Sequence, residues 1–280
     1  MTDRQASEHA PSGASAVSGT RTADDAGVVR LTRRDAVAHI TFDRPAARNA
    51  MTWSMYESLG EICEQLAADS GVRVVVMRGA GGKAFIAGTD IEQFLSFASG
   101  EDGVDYERQI GRFVGLVAAL PMPTLAVVEG WAVGGGMALA NACDFRIATV
   151  GARFGVPIAR TLGNCLSMAS VAGLVATLGP AMVRRIVMLA DMPQAEELLA
   201  LGYVTSVVQP QALDRAVDDL VARLLGHAPI TMAVTKKLLA RLHRGDSTDE
   251  DLLRLCYGSD DFKEGVRAFV AKRPPQWQGR

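Results

Sequence analysis

Val133-Gly134-Gly135-Gly136-Met137-Ala138-Leu139-Ala140-Asn141-Ala142-Cys143-Asp144 passes from an apolar, strand-like stretch through three glycines into a helical pattern. Glycine lets the backbone turn sharply and meet a ligand closely. The N–H groups that open the following helix lack intrahelical acceptors and point out of the turn. A second turn, Ala84-Phe85-Ile86-Ala87-Gly88-Thr89-Asp90, also follows an apolar run. Two N–H sources converging on one point form an oxyanion hole, which stabilises charge on a thioester oxygen in an enolate-like transition state. Either turn alone is no more than a tight loop. The ordered pair points to chemistry.

Together with three further segments, these turns resemble the enoyl-CoA hydratase (crotonase) superfamily from about Val28 to the C-terminus. The opening motif reads Ile40-Thr41-Phe42-Asp43-Arg44-Pro45, then Arg48-Asn49-Ala50-Met51. Cys143-Asp144-Phe145-Arg146-Ile147-Ala148 and Ala268-Phe269-Val270-Ala271-Lys272-Arg273 complete the set. The resemblance implies an α/β fold, with a crotonase-like ββα spiral core and a C-terminal helical trimerisation region. It divides the chain into a disordered leader over 1–27, the spiral core over 28–208 and the helical region over 209–280. It also implies a homotrimer or dimer of trimers, acting on an acyl-CoA. Coenzyme A would enter as part of the thioester substrate, with no separate cofactor and no metal.

The 280 residues are 49% hydrophobic and 21% charged, enough to bury a large core in one α/β domain with an extension. A formal net charge of -2 gives no electrostatic reason to expect nucleic acid or an anionic membrane as partner. No apolar run is read as approaching the roughly 18–20 residues of a membrane span. The Ala-, Ser-, Gly- and Asp-rich beginning lacks the apolar centre of a secretory signal. With four scattered cysteines and no C-x-x-C pair, the reading is a reduced, cytoplasmic protein.

Val28–Thr32 and Ala36–Phe42 read as a hairpin, and Thr52 as the cap of a helix over Trp53–Ala68. Val72–Arg78 and Thr124–Val128 read as buried parallel strands, with another near Phe145–Val150. Ser99-Gly100-Glu101-Asp102-Gly103 reads as a mobile polar segment before a helix over Tyr106–Leu120. Beyond Gly179 helices are expected over Ala181–Ala190, Ala195–Leu201, Ala212–Leu225, Thr231–Leu242 and Glu250–Lys272, interrupted by a strand over Val204–Val208.

By position in the matched motifs, the backbone N–H groups of Thr89 and Gly135 are the catalytic donors. The same resemblance places Ala87, Asp90, Ile91 and Gly134 at the ligand, with Asp90 and Asp144 as turn and packing residues rather than bases. Arg44, Arg48 and Lys83 are the cations available to the coenzyme A phosphates, with Phe269 and Lys272 contributing from the last helix. For each cation the other reading is a solvated surface charge. Glu92 stands where the hydratases often carry lysine, and an anion there repels phosphate.

Hydration of an enoyl thioester needs one group to activate water and one to deliver a proton, in this family two glutamates. This chain has Ala138 at the first position and Ile158-Ala159 at the second, and neither side chain transfers a proton. Nearby, Asn164 or Ser167 can hold a water or a carbonyl. Arg160 can clamp a substrate carboxylate or form a structural ion pair. Cys165 reads as a nucleophile or, more commonly, an unactivated buried thiol. Glu101, Asp102 and Glu107 are the acids that border the acyl site in the resembled fold.

The expectation is thus an acyl-CoA enzyme of the enoyl-CoA hydratase/isomerase type whose acid/base residues are not the usual pair. Double-bond isomerisation needs one shuttling group, and decarboxylation of a malonyl-type thioester needs none. A non-catalytic acyl-CoA binding protein is the alternative outside enzymology. A serine hydrolase is excluded by the absence of a G-x-S-x-G elbow.

Overall fold

A computed structural model describes residues 27–280, so the reading of the leader lies outside the described residues except at Gly27. The chain begins with a hairpin: β1 (Val28–Arg34) pairs antiparallel with β2 (Val37–Asp43). From there the sheet is parallel, through β3 (Val74–Gly79), β4 (Thr124–Val128), β6 (Phe145–Thr149) and β8 (Ser206–Val208), in the order β1-β2-β3-β4-β6-β8. Side chains alternate across it, as the two-residue period of a strand demands. Val74, Val76, Leu125, Val127 and Ile147 face one layer, and Val75, Met77, Ala126, Val128 and Ala148 the other. Both faces are buried, which explains why these strands read as continuous apolar runs.

The first face is covered by α7 (Leu213–Leu225), whose Leu213, Val217, Leu220, Val221 and Leu224 pack on those valines. This helix falls in the expected C-terminal helical region and covers one face of the main sheet. The second face packs on α1 (Trp53–Ala68), α2 (Gly100–Ala118) and α3 (Gly135–Ala142). Thr52 caps α1 as expected, its Oγ1 accepting from Met55 N at 3.3 Å.

Two short strands missed in the sequence, β5 (Trp131–Val133) and β7 (Arg153–Gly155), form a second parallel sheet. Ile86 extends it by a bridge to Ala132. Each passage of the chain therefore leaves one strand in the main sheet and one in this smaller layer, which is the expected spiral.

Several expectations need correction. Ser99–Gly103 is no mobile segment but the start of α2, because the Asp102 carboxylate reaches back to accept from Ala98 N at 2.9 Å and Ser99 N at 2.7 Å. Those bonds hold the Asp102 carboxyl below its usual range. The expected final helix is two, α9 (Glu250–Gly258) and α10 (Asp260–Val270), because Ser259 caps the second. The four-residue α4 (Ile158–Thr161) precedes α5 (Met168–Met188), which starts ahead of the expected helix and absorbs it across a break at Gly179 (φ +73°) and Pro180. With 21 residues and a mean hydropathy of 1.4, α5 is long and apolar enough to cross a membrane by length and composition alone, which the sequence reading overlooked. Leu174, Leu178, Met182, Val183 and Ile186 from this helix belong to the protein core. The remaining helices are α6 (Ala195–Ala200) and α8 (Pro229–His243).

Arg146 ties α3 to the rest. Its guanidinium, 7% exposed, donates to the carbonyls of Ala140 (3.0 Å), Cys143 (2.7 Å) and Tyr203 (2.6 Å). It thereby satisfies the carbonyl end of the helix that carries the triple glycine. Arg146→Leu strands these carbonyls and should lower unfolding free energy by about 3–5 kcal/mol. Urea unfolding measures it, and a loss near zero would show that α3 does not need this anchor.

Candidate active site

The first turn is built by the opening motif rather than by its own residues. Arg48 and Asn49 adopt left-handed conformations (φ +51° and +59°), which turn the chain back under the first turn. Arg48 O then accepts from Ala87 N at 3.1 Å, and Met51 brackets Thr89 by donating to Gly88 O and accepting from Asp90 N, both at 2.9 Å. Asn49, fully buried, donates to the carbonyls of Ala80 (3.0 Å) and Ala84 (2.8 Å).

The second turn presses on the first. A Cβ on Gly136 would lie 2.1 Å from Ile86 O, inside the carbonyl oxygen itself. Gly134 takes φ +53° and ψ -117°, a conformation open essentially to glycine, and approaches Gly88. Among the described residues, neither Thr89 N nor Gly135 N donates to a protein acceptor. Thr89 and Gly135 both line one cavity of about 220 Å³, formed in part by the two turns.

Behind them lies a hydroxyl chain that the sequence did not suggest. Thr89 Oγ1 sits between two phenols, 3.0 Å from Tyr56 Oη and 2.9 Å from Tyr106 Oη. Burial pushes the Tyr56 and Tyr106 hydroxyls above the usual tyrosine range, and the nearby Glu107 charge adds to the shift. Both phenols therefore keep their protons at neutral pH and lock the Thr89 side chain. Sequence reasoning had assigned that side chain no role; Tyr56 could have been found only as a polar tip on the buried face of α1.

Ala138 and Ile158, at the positions where the family's glutamates were expected, line the cavity. One carboxylate lines it too, Glu107 from α2. Its Oε2 accepts from Ser167 N at 2.7 Å, which ties α2 to the loop before α5. Of the other acids considered, Asp102 is committed to the helix cap and Glu101 is exposed and lines no cavity.

The remaining expected residues divide. Ala87, Ile91, Gly134 and Asn164 line the cavity, Ile91 and Asn164 with exposed side chains. Arg44 is instead a structural cation: 6% exposed, it pairs with the buried Asp90 at 3.0 Å and donates to Ala50 O at 3.2 Å. Arg48 and Lys83 are exposed at the base of the first turn, as phosphate contacts require. Arg160 is exposed on α4 and lines neither this cavity nor the larger one beside it. Phe269 and Lys272 are exposed and likewise line neither, so within one chain they do not meet the site. Cys165 is exposed rather than buried, whereas burial pushes the Cys63 and Cys143 thiols up to about 12.

A family model described as Enoyl-CoA hydratase/isomerase matches residues 32–280. A carnitinyl-CoA dehydratase from Salmonella arizonae is 35% identical over 263 residues, covering 90% of this chain and 98% of that protein. A crotonyl-CoA hydratase from Syntrophomonas wolfei is 30% identical over 248 residues, covering 87% and 95%. The crystal structure of an enoyl-CoA hydratase/carnithine racemase from Magnetospirillum magneticum superposes with a TM-score of 0.84 at 34% identity, covering 90% of this chain and 96% of that one.

A Cβ on Gly135 would lie 2.3 Å from Tyr56 Oη, with the ring carbon behind it at 3.7 Å. Gly135→Ala should therefore lower the melting temperature, and Tyr56→Phe, by removing the obstructing oxygen, should recover most of that loss. Melting curves of the two single variants and the double variant test the packing; additive losses would refute it.

Proposed function

Since the chain belongs to the enoyl-CoA hydratase/isomerase family, we propose that it isomerises the double bond of an enoyl-CoA, with Glu107 as the single acid/base. The observation that carries this is the cavity's lining: Thr89 and Gly135, whose N–H groups donate to no protein acceptor, one carboxylate, and Ala138 and Ile158, which transfer no proton. Hydration uses two groups at once, whereas moving a double bond uses one group twice.

In this reading the thioester oxygen accepts from Thr89 N–H and Gly135 N–H. The Glu107 carboxylate removes a proton from C2 of a 3-enoyl thioester. The electron pair of that C–H bond moves toward the carbonyl, and the charge collects on the oxygen between the two donors. Glu107 then returns the proton to C4, the double bond settles between C2 and C3, and the carboxylate is regenerated. Exposed Arg48 and Lys83 suit the phosphates of coenzyme A. Removal of Arg160 from the cavity lining takes away the carboxylate clamp that favoured decarboxylation.

Hydration remains the second reading, because relatives carry the names hydratase and dehydratase. It requires Glu107 to activate water and a hydroxyl, Tyr106 being the one beside it, to complete the proton transfer. Supplying 3-enoyl thioesters and following ultraviolet absorbance with product mass separates the two. Isomerisation gives a conjugated product of unchanged mass; a product heavier by one water would replace the reading by hydration. Glu107→Gln should reduce kcat by about 10²–10⁴-fold while leaving binding of a saturated thioester intact. Full turnover in that variant would remove Glu107 from the chemistry, and binding without turnover in the unaltered chain would make it a non-catalytic acyl-CoA binder.

A further inference from the structure

A second cavity, of about 800 Å³, opens beside the first and shares Phe94, Tyr106, Glu107, Leu162, Asn164 and Leu166 with it. The two therefore adjoin along this shared wall, with Thr89 and Gly135 lining the smaller one. Resting on the acyl-CoA reading above, we propose that the larger cavity holds the acyl group and selects fused-ring or heavily branched hydrocarbons over linear chains.

Width is the argument. One wall is a single face of α2, where Gly100, Gly103, Glu107 and Gly111 recur at helical spacing. Over the eleven steps from Gly100 to Gly111 the helix advances about 16 Å. Spread over that length, 800 Å³ gives a mean cross-section on the order of 50 Å². That is well beyond the section of an extended alkyl chain. Glycine weakens a helix interior, so packing or function must hold it there. Packing accounts for Gly60, where a Cβ would meet the Phe113 ring at 3.0 Å. It does not account for Gly103 or Gly111, where a Cβ would meet nothing within 4 Å. At those two positions the missing side chains simply widen the cavity.

The adjoining wall is an interlocked aromatic cluster. Phe94, Phe97 and Tyr106 hold one another edge to face, with ring centroids 4.8, 5.1 and 6.1 Å apart. The hydrogen bond between Tyr106 and Thr89 ties this cluster to the first turn. An interlocked aromatic surface matches a rigid ring system, which loses little conformational freedom on binding. A linear chain in the same space leaves apolar wall in contact with water and pays more rotamer entropy.

The test is titration calorimetry with saturated thioesters, which cannot turn over: butyryl-CoA, octanoyl-CoA and decahydro-2-naphthoyl-CoA, with free coenzyme A as reference. The fused-ring thioester should bind at least about tenfold more tightly than butyryl-CoA and more tightly than octanoyl-CoA. Octanoyl-CoA binding as well as the ring, or better, would overturn the proposal and leave the acyl-CoA reading standing. No heat with any thioester would overturn that reading itself. Gly111→Leu and Gly103→Leu, which improve helix propensity and so should not lower the melting temperature, should reduce the ring-over-octanoyl preference by about tenfold. An unchanged preference in both variants would place the acyl group elsewhere.

Discussion

The structure depends on one close approach: α3 starts against the carbonyl of Ile86 with no room for a side chain between them. A Cβ at Gly136 would lie 2.1 Å from that oxygen, an overlap that no rotamer change relieves because both partners are backbone. This contact brings the two turns together, and with them the two N–H groups that lack protein acceptors. It also fixes where α3 points. Arg146 holds the other end of the helix through the carbonyls of Ala140 and Cys143.

Around that contact the polar groups fall into two kinds. Arg44, Asp90 and Asn49 are buried and mutually satisfied, and they support the first turn from below. In an ion pair so little exposed, the loss of hydration offsets much of the attraction. The pair's value here is positional. Thr89, Tyr56 and Tyr106 form the other kind, a neutral hydroxyl chain on the cavity side. Because burial keeps both phenols protonated, the chain adds no charge to the first turn. Among the described residues, Glu107 is the one carboxylate that lines the smaller cavity, and its Oε2 accepts from Ser167 N.

Helix α2 links these features to the larger cavity. It carries Glu107 and Tyr106 to the lining of both cavities, and its Gly100, Gly103 and Gly111 line the larger one. Its capped start at Ser99 and Asp102 replaces the expected loose segment with a fixed wall. A charged, glycine-containing stretch looks mobile as a string of letters. Asp102, three residues past Ser99, was the signal that it is a helix start.

The sequence by itself determined the fold and the pair of turns. Glycines 134 to 136 and Gly88 mark positions where backbone must meet backbone, and continuous β-branched runs mark strands buried on both faces. Those signals are local, since they depend on what one stretch can do alone. The strands β5 and β7 escaped because three residues carry too little periodicity to register. Only the tertiary structure decided that Arg44 is spent on Asp90 and that Thr89 is held between two tyrosines. It alone lifted Glu107 from among three plausible acids. Glu107 lies 18 positions from Thr89 along the chain, on an amphipathic helix with charges on most of its turns. Which of those charges faces the cavity is set by how α2 packs across α1 and α3, a property of the assembled core that no single segment encodes.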